Sequence, residues 1–96
     1  MVTFLARMKI KEGKEADFIR LAKALTEKVH ENEPETTAYQ FFKLRDEPRG
    51  YAVYEQFFNE DAEEAHRNAA HFNQIAPDLF DCIDGSLVRE FLDPLE

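Results

Sequence analysis

The sequence predicts an α+β fold in which helices cover one face of a four-stranded antiparallel sheet. Apolar residues alternate at every second position in four short segments, and they recur every three or four positions in the segments between. The order of these periods is strand, helix, strand, strand, helix, strand. Right-handed crossovers place both helices on the same face of the sheet. The predicted architecture is therefore the ferredoxin-like β-α-β-β-α-β arrangement.

The first half of the chain is expected to form a strand, a long helix and a second strand. Residues 2–10 alternate so that one face of the strand is fully apolar. From Lys14 onward an amphipathic helix is predicted. Its apolar stripe consists of Phe18, Leu21, Ala22, Leu25 and Val29. Pro34 ends this helix because proline cannot continue one, and residues 36–44 then form the second strand.

The second half repeats the strand, helix, strand order without visible sequence repetition. A polar turn leads to a third strand at residues 51–58, which should pair antiparallel with the second. Asn59 is expected to cap a helix that runs to Ala70. In the apolar stripe that follows, Pro77 is expected to start a fresh short helix, because its missing N–H does no harm at a first helical position. Residues 86–92 complete the sheet.

Length and charge limit the classes of function. A chain of 96 residues is expected to form one domain, residues 1–96. Its net charge of −8 disfavours nucleic acid and anionic membranes as partners. No apolar run could span a membrane and no signal segment is visible, so a cytoplasmic protein is expected. Cys82 is the only cysteine and is interpreted as a reduced, half-buried apolar residue.

The second face of the sheet is predicted to be an interface. Strands two, three and four carry apolar residues on both alternations. These pairs are Phe41 and Phe42, Phe57 and Phe58, and Val88 and Phe91. We therefore expect a two-fold homodimer whose sheets face each other. Arg7 is assigned to an ion pair on that face, and Glu55 is interpreted as an interface or surface carboxylate.

The candidate chemistry centres on His66. It lies on a helix face of small residues and is expected to point towards an aromatic strand. A neutral imidazole there could accept a proton from a phenol or enol. Tyr39 or Tyr54 could donate a hydrogen bond to a substrate oxygen, and Phe57 and Phe72 could form the walls. The alternative is structural: His66 bonded to a backbone carbonyl, and tyrosines that are ordinary sheet residues.

No metal or cofactor motif is visible in the sequence. His66 and His71 are five residues apart, which separates them by about 140° around a helix and prevents chelation from one face. His30 is interpreted as a surface residue. The three glycines are isolated, so no phosphate-binding loop is present. We therefore expect neither a metal nor a nucleotide cofactor.

Several motifs resemble those of the antibiotic biosynthesis monooxygenase (ABM) domain family, which includes quinol monooxygenases. The resemblance covers nearly the whole chain. The residues that carry it are Asp46-x-Pro48, Tyr54-Glu55-x-Phe57, Glu60-Asp61-Ala62, His66 and His71-Phe72. It implies a dimeric α+β barrel that oxidises a quinol or an anthrone-like phenol with O₂ and uses no metal, flavin or haem. His66 would be the base or orient the substrate, with Tyr54 as a second catalytic residue; Tyr39, Phe57, His71 and Phe72 would bind the substrate.

Departures from the family pattern keep other functions open. Many members carry Trp at the position of Phe57, whereas this chain contains no tryptophan. The haem-degrading branch uses Asn, Trp and His where this chain has Ala6, Phe57 and Ala76, so haem degradation is not expected. Another branch isomerises a phosphorylated sugar. Three hypotheses therefore stand: a cofactor-free oxygenase, a small-molecule isomerase, and a non-catalytic ligand-binding dimer.

Overall fold

A computed structural model describes all 96 residues and contains four strands and three helices. In chain order these are β1 (Val2–Lys9), α1 (Glu15–Asn32), β2 (Thr36–Lys43), β3 (Gly50–Phe57), α2 (Glu60–Asn68), α3 (Ala70–Asp81) and β4 (Val88–Phe91). None of the helices combines the length and apolar character that crossing a membrane requires.

The four strands form one antiparallel sheet in the order β2-β3-β1-β4. In the register, Phe4 and Tyr39 lie on either side of Glu55, one from each neighbouring strand. Directly opposed residues project from the same face, so these three side chains form one row on the sheet. The ferredoxin-like α+β fold predicted from the sequence is confirmed.

The hydrophobic core lies between the helices and one face of the sheet, which we call the inner face. Phe18, Leu25 and Val29 of α1 are fully buried, as is Leu79 of α3. These residues are the apolar stripes that the sequence predicted. Cys82 also belongs to this core and is fully buried rather than half-buried.

The second helical region differs from the prediction. The chain breaks at Ala69, which has an extended backbone (φ −67°, ψ 144°), and α3 begins at Ala70. Pro77 therefore lies inside α3, and the prediction that it starts a helix is wrong. Pro77 and Asn73 are exposed, so the carbonyl of Asn73 that loses its helical hydrogen bond faces solvent. Burial of Leu79 on the opposite side, and of Ala76 next to the proline, holds the helix through Pro77.

The opposite face of the sheet, which we call the outer face, carries the side chains that alternate along each strand with those of the inner face. Phe42 and Val88 are exposed there, and Leu5 and Tyr54 are half-buried. Arg7 Nε lies 2.7 Å from Glu90 Oε1 of the same chain, in an exposed ion pair. β4 covers only four residues, fewer than the predicted 86–92, and all four are exposed at the sheet edge.

Candidate functional site

A cavity of about 470 Å³ opens between the helices and the inner face of the sheet. Its volume lies in the range of sites for small organic ligands. Most of the lining is apolar or aromatic, contributed by Phe4, Ala6, Met8, Leu25, Tyr39, Phe41, Val53, Phe72, Leu79, Phe80 and Leu87. The charged or titratable lining residues are Glu55, Glu63, His66, Arg67 and Arg89. The cavity therefore offers a mainly apolar surface with charged and titratable groups on part of its wall.

His66 enters this cavity from α2. The helix is fixed at its start by the Asn59 side chain, which accepts a hydrogen bond of 2.8 Å from the backbone N–H of Ala62. One turn later His66 lies on the same helix face, and its side chain is only 3% exposed. The imidazole is surrounded by the rings of Tyr39, Phe57 and Phe72, with centroids 4.8 to 5.3 Å away.

A carboxylate orients the imidazole from behind. Both oxygens of Glu33 lie close to His66 Nδ1, at 2.9 and 3.1 Å. Glu33 directly follows α1, and its side chain is 9% exposed. Thr36 donates a second hydrogen bond of 2.7 Å to Oε1, and His71 Nε2 contacts Oε2. Burial alone would raise the pKa of Glu33, but these hydrogen bonds together lower it, so Glu33 is ionised.

The ionised Glu33 determines which nitrogen of His66 carries the proton. A carboxylate can only accept, so Nδ1–H donates to Glu33 and Nε2 keeps its free electron pair. Burial is the largest influence on the imidazole and lowers its pKa, although Glu33 opposes this. The ring is therefore neutral at physiological pH, with a basic Nε2 on the side of Glu55.

Glu55 projects into the cavity from β3. Its side chain is 12% exposed and makes no hydrogen bond; Oε1 is 3.7 Å from His66 Nε2, beyond hydrogen-bond length. Burial raises its pKa to about 8, repulsion from Glu63 adds to this effect, and Arg89 partly opposes it. The interpretation of Glu55 as a surface or interface carboxylate is wrong. The alternation of β3 places it on the inner face with Val53.

Tyr39 faces Glu55 across the β2–β3 pair. It is buried in the cavity wall, and its hydroxyl makes no hydrogen bond within the chain. Burial raises its pKa above the ordinary tyrosine value, and the carboxyl groups of Glu55 and Glu33 raise it further. Tyr39 is therefore a neutral hydroxyl that can donate a hydrogen bond into the cavity.

Two arginines flank the cavity on the side of Glu63. Arg67 Nε lies 3.5 Å and Arg89 Nη1 3.6 Å from Glu63 Oε2. The guanidinium group of Arg89 also lies over the rings of Phe4 and Phe91, at 5.2 and 5.3 Å from their centroids. These contacts hold both arginines at the edge of the apolar lining.

The predicted site residues separate into two groups. His66, Tyr39 and Phe72 meet at the cavity. Three others do not reach it. Phe57 is fully buried beside His66, and His71 contacts Glu33 on the far side. Tyr54 lies on the outer face, opposite Leu5. Tyr54 is displaced because adjacent residues of a strand point to opposite faces, and Glu55 takes the inner one.

Two site residues were missed from the sequence, Glu33 and Glu55. The period-two pattern of β3 carried a signal for Glu55, because Val53 and Phe57 fix the inner face. Glu33 had no local signal, since it follows a helix in a run of polar residues and meets His66 only through the tertiary fold.

No group of three or more His, Cys, Asp or Glu side chains is arranged to hold a metal ion.

The geometry resembles an acid–base site in an apolar cavity. His66 Nε2 can take a proton from a bound molecule, with Glu33 stabilising the imidazolium that forms. Neutral O–H groups on Tyr39 and Glu55 can donate hydrogen bonds to an oxygen of the same molecule. Such a site can move a proton and stabilise the anion left behind.

The family model of antibiotic biosynthesis monooxygenases matches residues 1–78. The chain belongs to the antibiotic biosynthesis monooxygenase family. The match includes Glu33, Tyr39, Glu55 and His66, so the ABM segment contains the groups described above around the imidazole. No curated protein matches the chain.

Solved structures share this ABM fold over nearly the whole chain. A candidate antibiotic biosynthesis monooxygenase from Caulobacter crescentus is 28% identical, with a TM-score of 0.91, and the match covers 99% of this chain and 90% of that one. A protein of the same description from Bacteroides thetaiotaomicron is 19% identical, with a TM-score of 0.90 and coverage of 99% and 90%. A conserved protein from Methanosarcina mazei is 23% identical, with a TM-score of 0.86 and coverage of 95% and 89%.

Proposed function

We propose that this ABM protein is a cofactor-independent monooxygenase that oxidises a small aromatic quinol or phenol with O₂. The observation that carries the proposal is the buried Glu33–His66 pair, whose free Nε2 faces an apolar, aromatic cavity. A base in such a setting can remove a proton from an acidic phenol or benzylic carbon. The anion produced is electron-rich enough to reduce O₂ directly.

The lining of the cavity supports an aromatic substrate. The aromatic side chains of Phe41 and Phe72 offer flat apolar surfaces. The substrate would be oriented by the polar groups of the lining that lie nearest His66, among them the hydroxyl of Tyr39. A phenolic or keto oxygen on an otherwise apolar ring system fits these requirements.

The protein's own residues need only move protons. With a substrate that has a CH₂ group, as in an anthrone, His66 Nε2 takes one proton and leaves the electron pair on the substrate. The anion gives one electron to O₂, and the two radicals combine to form the C–O bond of a peroxide, which regains the proton from His66. The O–O bond then breaks and the second C–H proton leaves in water. The balance is R₂CH₂ + O₂ → R₂C=O + H₂O, a four-electron oxidation of carbon by O₂.

We also propose that the outer face of the sheet pairs with a second copy of the chain. The exposed Phe42 and Val88 and the half-buried Leu5 and Tyr54 support this, because they present apolar surface next to the Arg7–Glu90 ion pair. The test is sedimentation at micromolar concentration. A dimer that becomes monomeric in Phe42→Glu is expected, and a monomeric wild type contradicts the proposal.

Oxygen consumption by chelator-treated protein tests the proposed reaction. A panel of quinols and anthrones is offered to wild type, His66→Asn and the control Glu64→Gln, which changes an exposed side chain on the same helix outside the cavity. We expect uptake above the uncatalysed rate, a loss of about 100-fold or more in His66→Asn, and little change in the control. Absence of uptake with every substrate, or equal uptake by His66→Asn, contradicts the proposal. Turnover under nitrogen would favour the isomerase.

A further inference from the structure

The carboxyl group of Glu55 has no partner in the chain. It is nearly nine-tenths buried, lines the cavity and makes no hydrogen bond. The only basic nitrogen within 4.0 Å of its oxygens is His66 Nε2, at 3.7 Å, and Arg89 forms its ion pair with Glu63 instead. No buried side-chain nitrogen or oxygen of the chain lacks a hydrogen-bond partner, so the unpaired oxygens of Glu55 border the open cavity and are not sealed in the core. They are therefore available to form a hydrogen bond with a molecule that occupies the cavity.

The hydroxyl of Tyr39 is a second polar group in the same place that is available to a molecule in the cavity. It lies directly opposite Glu55 in the β2–β3 register, which brings their Cβ atoms to about 5 Å. Both side chains are on the inner face, and the Tyr39 hydroxyl makes no hydrogen bond. Two oxygen-bearing groups therefore reach the cavity from neighbouring strands, next to the imidazole of His66, whose ring centroid is 5.3 Å from that of Tyr39.

We propose that Glu55 and Tyr39 form a two-donor site for the keto oxygen of the substrate. The substrate class that follows is a flat aromatic ketone, or its phenol tautomer, with an acidic C–H or O–H directed at His66. This two-donor site rests on the proposed function and adds the part of the substrate that Glu55 and Tyr39 contact.

The two donors would act when His66 takes the proton. The C–H bond breaks, its electron pair moves into the ring system, and negative charge develops on the keto oxygen. The O–H groups of Glu55 and Tyr39 donate to that oxygen and keep their protons, while the imidazole holds the proton removed. A carboxylic acid kept neutral in an apolar site is known to stabilise such an oxyanion. The raised pKa of Glu55 is consistent with this form.

An inert diketone separates this site from the oxidation chemistry. Anthraquinone carries the keto oxygen but has no proton for His66 to remove, so its binding reports only on the donors. Its dissociation constant and its infrared carbonyl bands are measured with wild type, Glu55→Gln, Glu55→Ala and Tyr39→Phe. Glu64→Gln, which changes an exposed carboxylate on α2, is the matched control.

We expect wild type to shift one carbonyl band to lower frequency. Glu55→Gln keeps an N–H donor and should retain the shift, with affinity within about threefold. Glu55→Ala and Tyr39→Phe should each reduce the shift and weaken binding by about tenfold, the effect of one lost hydrogen bond. Glu64→Gln should match wild type.

Four results would overturn the two-donor site. Three of them are absence of binding by wild type, an unshifted carbonyl band, and equal behaviour of wild type and Glu55→Ala. A Glu55→Gln variant as defective as Glu55→Ala would also reject it, because the role would then need the carboxylate. The probe requires no O₂. A protein that binds it with a shifted carbonyl band but consumes no oxygen with anthrones would therefore support the donor site and contradict the proposed oxygenase reaction.

Discussion

Replacing Glu55 by glutamine should stabilise the protein, and the gain should increase with pH. Glutamine has nearly the same shape as a protonated glutamic acid but cannot ionise. In the folded protein, burial raises the pKa of Glu55 from its ordinary value of 4.5 to about 8, with repulsion from Glu63 adding to the effect. In the unfolded chain the carboxyl group is in water and ionises near its ordinary value.

The size of the gain follows from the two pKa values. Between pH 4.5 and pH 8 the folded protein holds a proton on Glu55 that the unfolded chain has released, so the wild-type free energy of unfolding falls as pH rises. The loss is about 1.4 kcal/mol for each pH unit. The Glu55→Gln variant does not lose this stability, because glutamine cannot ionise. The difference should therefore be small near pH 4.5 and reach about 5 kcal/mol at and above pH 8.

Urea denaturation at a series of pH values, from about 5 to about 9, measures this difference directly. Protein concentration is held constant, because association with a second copy would also shift stability. Glu64→Gln removes an exposed carboxylate from α2 and should not reproduce the profile. A difference between wild type and Glu55→Gln that stays flat or shrinks as pH rises would refute the assignment of Glu55 as a buried, neutral acid.

Three further substitutions test the placement of other residues. Glu33→Gln should lower the oxygen-uptake rate by about 100-fold or more, because an amide no longer stabilises the imidazolium of His66; a rate within about twofold of wild type would contradict this. Tyr54→Phe should leave uptake unchanged, since Tyr54 lies on the outer face; a large loss in the same assay would place it in the reaction. Phe57→Ala should cost about 3 to 5 kcal/mol in urea denaturation because the ring is fully buried; a cost below about 1 kcal/mol would show that the core fills the space.

The fold could be predicted because its signals are local. The alternation in residues 2–10 and the stripe from Phe18 to Val29 each identify an element and the face that it buries. Pro77 misled the prediction, since proline favours a helix start in sequence statistics. An exposed position inside α3 tolerates it when the opposite side of the helix is well packed.

The site was only partly predictable, because its central contact is not local. Thirty-three positions separate Glu33 from His66, and nothing near Glu33 indicates that it will meet an imidazole. Tyr54 and Glu55 show a different failure. A shift of one residue in the assignment of strand faces exchanges every inward and outward side chain. The aromatic ring of Tyr54 was preferred as a site residue over the carboxyl group of Glu55, and this placed the wrong residue in the cavity.

In the proposed reaction O₂ itself is the oxidant, and one of its atoms enters the substrate. Turnover of an anthrone in ¹⁸O₂, followed by mass spectrometry of the product and the water, measures this most directly. We expect one labelled oxygen atom in the new carbonyl group of the product and the other in water, with both signals reduced in His66→Asn. Product that carries no label beyond the uncatalysed background, or label recovered as hydrogen peroxide, would contradict it.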